Sequence, residues 1–215
     1  MKFTVDEMMK YSFVMAMDEV EYMVFCGRMK NSGFKDLPPM YKGIYPSVLF
    51  GNGRVNACAL NHFVFVNMAK TLGYPHVTIF ESDACPMKGC YDELGRFFEE
   101  HGVPDDAHEI SLGNLHWIKD WNNGNKRCHK LIDVNNGYGR AQDDLCGAHA
   151  VIVFKAGYDT WLNSYIERRT EINADSFNQL TPKFYAAQRS FFLQKKDVWQ
   201  YYDWISDKEH LSDFV

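Results

Sequence analysis

Two acids separated by one residue, Glu81-Ser82-Asp83, follow directly on the apolar run Val77-Thr78-Ile79-Phe80. The run has the length and content of a buried strand, so it sets both carboxylates at the strand's mouth. In open α/β sheets ligands collect at the carboxyl ends of the strands. An acid, a spacer and a second acid can there both face a divalent cation that is holding a diphosphate. The chemistry expected at such a place is that of a sugar nucleotide. The plainer role for the same two acids is to cap the turn or helix that follows the strand.

The elements that must position these acids follow from periodicity. Tyr11 to Met17 is a β-like run. Asp18 and Glu21 then stand as an N-cap and its N3 partner, with Val20, Met23, Val24 and Gly27 on one helical face. Asn31-Ser32-Gly33 ends that helix, and residues 34–53, with Pro38, Pro39 and Pro46, read as a long irregular loop. A second helix is expected from Ala57 to Leu72, capped by Asn56 and stopped by Gly73, with Leu60, Phe63, Val64 and Met68 facing the core. Pro75 bars helix before the strand that ends at Phe80. Beyond the acids, Tyr91 to His101 and Tyr158 to Arg169 read as helices. Leu131 to Val134, Ala150 to Phe154 and Phe184 to Gln188 read as strands, and Asp197 to Ser206 as a C-terminal helix. The alternation implies an α/β fold, a mostly parallel central sheet with helices on both faces. The 215 residues are enough for one domain, with a helical extension from about residue 190.

Charge and composition exclude several classes. The net charge is −5 and no run of Lys or Arg occurs, which argues against nucleic acid and against electrostatic membrane anchoring. No stretch has the roughly 18 apolar residues of a membrane span, and the N-terminus lacks a signal peptide's pattern, so a cytoplasmic protein is expected. The six cysteines follow no disulfide pattern and are expected to be packing thiols. A competing reading is a zinc module drawn from Cys85, Cys90, Cys128, His129, Cys146 and His149. The short Cys-x2-Cys spacing of such modules is missing.

Three blocks carry a family resemblance: Asn56-Ala57-Cys58-Ala59-Leu60-Asn61-His62, Ile79-Phe80-Glu81-Ser82-Asp83-Ala84 and Gly147-Ala148-His149-Ala150-Val151-Ile152-Val153. In order and character they resemble glycosyltransferase family 25, over roughly Tyr11 to Tyr165. Two departures stand out. Ser82 replaces a second carboxylate of the family's acidic motif, and Val151 replaces an aromatic residue. The resemblance implies a GT-A fold, a nucleotide-sugar donor, commonly UDP-linked, a saccharide acceptor and a divalent metal, Mn2+ or Mg2+. It implies Asp83 as first metal ligand, with Glu81 either on the metal or holding the ribose and a water. His149 would complete the metal shell, orient a phosphate oxygen, or sit in the core as a satisfied histidine. His62 reads as a buried helix-face histidine bonded to backbone. Met17 and Asp18, at the end of the first strand, lie where uracil or ribose would sit, and Arg54 would approach the diphosphate. Asp175, ahead of Asp144, is the implied general base for the acceptor hydroxyl. The aromatic run Asn114 to Trp121 fits either an acceptor wall or core. Ser82 also permits a degenerate relative that binds nucleotide or a partner protein without turnover.

Overall fold

The structure is a computed structural model, and it describes residues 3–44, 53–113, 131–141, 148–167 and 183–194. In chain order the elements are α1 (Val5–Lys10), β1 (Ser12–Ala16), α2 (Glu19–Asn31), β2 (Met40–Lys42), α3 (Gly53–Thr71), β3 (His76–Glu81), β4 (Ala84–Pro86), α4 (Cys90–His101), β5 (Glu109–Ser111), β6 (Leu131–Asn135), β7 (Tyr138–Ala141), β8 (Ala150–Phe154), α5 (Tyr158–Glu167), β9 (Phe184–Ala187) and β10 (Phe192–Gln194). Eight strands form one sheet in the order β2-β1-β3-β8-β5-β9-β7-β6, and β4 pairs with β10 in a separate ladder. β2, β1 and β3 are mutually parallel, β8 opposes both β3 and β5, β9 follows β5, and β7 opposes β9 and β6. Only β8 and β7 are reversed, so the sheet is mostly parallel in strand direction, in the α/β class expected.

Side-chain alternation along β3 and β8 places helices on both faces. Val77, Ile79, Val151 and Val153 pack under α3 and α5, against Phe65, Val66, Ala69, Trp161 and Leu162. Phe80, Ala150, Ile152 and Phe154 face the other way, toward α1, α2 and α4, against Met8, Phe25, Met29, Leu94 and Phe98.

Local chemistry fixes the helix ends. Thr4 and Glu7 form a reciprocal capping box on α1. Both α2 and α3 end in a left-handed glycine with paired return hydrogen bonds. In α2, Gly33 N–H reaches Lys30 and Phe34 N–H reaches Met29. In α3, Gly73 N–H reaches Lys70 and Tyr74 N–H reaches Ala69.

Three sequence expectations change. The α2 face carrying Val20 and Met23 is exposed, at 70% and 71%, while Phe25, Cys26 and Met29 are buried. On α3 the fully buried positions are Ala59, Phe65, Val66 and Ala69 with the polar Asn61 and His62, whereas Leu60, Phe63, Val64 and Met68 are half-buried. The expected loop contains β2, which extends the sheet beyond β1. The expected helix from Asp197 to Ser206 and the aromatic run from Asn114 lie outside the described residues.

One backbone position is set by a single ring. A Cβ on Gly113 would stand 2.3 Å from Nε2 of His149, which is fully buried and pinned to the Phe192 carbonyl. Gly113→Ala is therefore expected to destabilise the fold by about 1–3 kcal/mol through overpacking. Urea unfolding midpoints of the two chains check it, and an unchanged midpoint would show that the ring can move aside.

Candidate functional site

The parallel strands β2, β1 and β3 create a switch point, because the chain leaves β1 toward β2 on one side and returns through α3 to β3 on the other. A cleft opens there. Its volume is about 570 Å³, and its walls include Met15 of β1 and Met17 just after it, Glu21 of α2, Cys58 and Asn61 of α3, and Glu81 and Asp83 at the end of β3. The acids that the sequence places at the strand's mouth thus line an open cavity.

Each wall is tied down. Asn61, buried in α3, accepts the Ile44 N–H at 2.8 Å and donates Nδ2 to the Ile44 carbonyl at 3.0 Å, so the segment after β2 is clamped to the helix. On the other side, Glu21 Oε2 accepts the Met17 N–H at 3.0 Å and the Ser82 hydroxyl at 2.8 Å. Asp18 caps α2 by accepting the Glu21 N–H at 2.9 Å. Glu21 does not close the reciprocal capping box foreseen from its spacing; its carboxylate instead ties the ends of β1 and β3 together. Arg28 reaches the Ser82 and Ala84 carbonyls from below.

The floor of the cleft is a three-residue cluster. Cys58 Sγ donates to Glu81 Oε1 at 2.9 Å, and His62 Nε2 lies 3.4 Å from the same oxygen. Cys58 and His62 are four residues apart on α3, which stacks them on one helix face. Burial pushes the Glu81 pKa up, but the hydrogen bond and charge of His62, the Cys58 thiol and the charge of His149 outweigh it. Together they hold the carboxyl well below the usual range, so Glu81 is an anion. His62 is wholly buried and its ring lies flat against Trp161, with centroids 5.9 Å apart and planes 8° apart. Trp161 Nε1–H in turn donates to the buried Glu109 carboxyl.

The other residues singled out in the sequence are placed as follows. His149 gives its backbone carbonyl to the Glu81 N–H, while its ring Nε2 donates to the Phe192 carbonyl at 3.1 Å. Asp83 lines the cleft, Met17 sits at its rim and is 44% exposed, and Arg54 falls in the first turn of α3. Asp144 and Asp175 lie outside the described residues, as do Cys128, His129 and Cys146. Cys90 donates its thiol to the Phe191 carbonyl, and burial drives its pKa up, so it remains a thiol. Among the described residues, the cluster of candidate metal donors is Cys58, His62 and Glu81. The sequence signal for it was present in Cys58-x3-His62, since a thiol and an imidazole at that spacing share a helix face.

No protein-family model matches the chain, and no curated protein matches it in sequence. The resemblance to family 25 therefore rests on its three blocks. Among solved structures the chain is similar to a glycosyltransferase involved in the glycosylation of the major capsid of PBCV-1, with TM-score 0.50 and 8% identity, over 94% of this chain and 97% of that one. It also aligns with A197 from STIV, with TM-score 0.42 and 16% identity, over 84% of this chain and 81% of that one. The first likeness shows a fold shared with a glycosyltransferase. Among the described residues, no helix is long and apolar enough to cross a membrane.

Proposed function

We propose that this protein is a glycosyltransferase that moves a hexose from a nucleotide-sugar donor, UDP-linked, to a saccharide acceptor in surface-polysaccharide assembly. The observation that carries the reading is the placement of Glu81 and Asp83 on a 570 Å³ cleft at the carboxyl ends of β1 and β3. The shared fold and the three family-25 blocks support it.

A divalent cation, Mn2+ or Mg2+, fits the carboxylate donors of this cleft, and when bound it supplies counter-charge to the departing diphosphate. Asp83 is the residue we assign to hold it, with Glu81 as second carboxylate. Glu81 is kept anionic by Cys58 and His62, so it is ready to do so across the physiological range. Met17 and Asp18 border the nucleoside end. Arg54 is assigned to the diphosphate, and Asp175 or Asp144 to the proton of the attacking hydroxyl.

Linkage gives the direct test, because a ligand that prefers the folded chain raises its melting point. At about 100 times its dissociation constant UDP adds about 2.7 kcal/mol, which for a chain of this size is a rise of roughly 5–10 °C. We expect that rise with UDP and manganese together and a smaller one with UMP. No shift with any nucleoside diphosphate would overturn the reading. One observation favours a binding-only relative: the hydroxyl of Ser82, where the family has a carboxylate, is already engaged by Glu21. Stabilisation by UDP with manganese, without UDP release from any donor sugar, would select that alternative.

A further inference from the structure

The geometry points to a zinc site at the floor of the cleft, made by Cys58 Sγ, His62 Nε2 and a Glu81 carboxylate oxygen, with its fourth position open to the cavity. The inference stands on the arrangement of these side chains and does not need the transferase reading.

Three donor atoms of the three residues lie within 4.8 Å of one another. Zinc bonds of about 2.0–2.3 Å in a tetrahedron set ligand atoms roughly 3.3–3.8 Å apart. The His62 to Glu81 separation of 3.4 Å already has that value, and the Cys58 to Glu81 separation of 2.9 Å needs only to open by several tenths of an ångström. Two ligands come from one rigid helix and the third from the end of a central strand, so the donors are held by elements and not by loops.

The donor types select the ion. Thiolate, imidazole and one carboxylate are a borderline-soft set that favours zinc over the hard cations magnesium and manganese. Charge agrees: the Glu81 carboxylate and a Cys58 thiolate together cancel the ion's two positive charges, which lowers the cost of holding it in a partly buried floor. Binding exchanges the thiol proton for the metal and releases that proton to solvent.

His62 is suited to the role in two ways. The flat stack on Trp161 fixes its ring plane. Its Nε2–H faces the Glu81 carboxylate in the metal-free chain, and its Nδ1 has no hydrogen-bond partner among the described residues, so on metal binding the proton can reside on Nδ1 while Nε2 gives its lone pair to the ion. Cys58 and Glu81 both line the 570 Å³ cleft, which supplies the entry path and the open coordination position of a three-ligand site.

The site competes for Glu81 with any hard cation in the cleft, so zinc would act there as a resident ion or as an inhibitor of manganese-dependent chemistry. The test is spectroscopic. Titrating the full chain with Co2+ should give tetrahedral visible bands and a thiolate-to-cobalt charge-transfer band in the near ultraviolet, saturating at one equivalent and bleached by Zn2+. Cys58→Ser should abolish the charge-transfer band and weaken zinc binding by about 100-fold or more, while Cys85→Ser leaves both unchanged. In the unmodified chain, one equivalent of Zn2+ should slow iodoacetamide alkylation of Cys58 by about tenfold or more, read by peptide mass spectrometry. The last measurement holds even if the serine variant fails to fold. No charge-transfer band, a band that survives in Cys58→Ser, or alkylation of Cys58 indifferent to zinc would each overturn the site and leave a hydrogen-bonded network. Loss of UDP binding would bear only on the transferase reading.

Discussion

Asp83→Asn is expected to lower manganese-dependent release of UDP from a nucleotide-sugar donor by about 100- to 1,000-fold in kcat/KM, the range seen when one preorganised charge partner of a transition state is removed. The substitution keeps the shape of the side chain and removes only its charge. Asp83 sits in the turn between β3 and β4, where the chain is held on one side by the Ser82 to Glu21 bond and on the other by Arg28 on the Ala84 carbonyl. The turn therefore has supports that do not depend on the Asp83 carboxylate, and the urea midpoint of the variant should stay near the parent's. Activity within twofold of the parent would remove Asp83 from the site. An unfolding free energy lowered by several kcal/mol with activity lost in proportion would assign it to the turn instead.

Much of the frame was legible because it depends on local rules. The strand before the acids, the Asp18 cap, the glycine stops at Gly33 and Gly73 and the buried run at Ala150–Phe154 all rest on spacing and turn chemistry, and they recur in the structure with shifts of a residue or so. The reversal of β8 was not legible. A strand buried on both faces presents the same continuous apolar run whichever way it points. Short strands such as β2, β4 and β10 have three residues each, too few to display a period. α1 does carry a local signal in the sequence, the capping-box spacing Thr4-x-x-Glu7, although six residues are too few to show a helical period.

The site was legible where it used acids and obscure where it used buried polar groups. Periodicity assigns Leu60, Phe63, Val64 and Met68 to the core because they are apolar, yet α3 turns Asn61 and His62 inward. Asn61 is buried because it clamps the Ile44 backbone, and His62 because it meets Glu81. A helix that gives its most buried places to an amide and an imidazole departs from the apolar pattern, and the departure marks the site. The exposed Val20 and Met23 follow from the same competition: α2 is oriented by Phe25 and Met29 in the core and by Glu21 at the cleft.

The second large effect concerns the acid behind the site. Glu109 is 2% exposed, its hydrogen-bond donor is Trp161, and burial lifts its pKa from 4.5 to about 8 against the partial opposition of that bond. Below about pH 4.5 both the folded and the unfolded chain hold the proton, and the stability from this group is fully present. Between 4.5 and 8 the folded chain keeps a proton that the unfolded chain has released, so stability falls as pH rises, with a limiting slope of about 1.4 kcal/mol per pH unit. Above 8 both forms are ionised and the slope vanishes. Glu109→Gln retains an acceptor for the indole N–H and cannot ionise. Every other titrating group is common to the two chains and cancels in the difference. The variant should therefore gain on the parent steadily from pH 5 to 8, by on the order of 3 kcal/mol over that interval, as read from urea midpoints at several pH values. Because Trp161 stacks on His62, a parent ionised at Glu109 above pH 8 would also loosen the ring that faces Glu81, so nucleotide affinity in the parent should decline as the pH rises through about 8 and the variant's should not. Parallel stability curves for the two chains would mean that Glu109 is already ionised in the folded protein at neutral pH, and the link from this acid through Trp161 to the cleft would then fail with it.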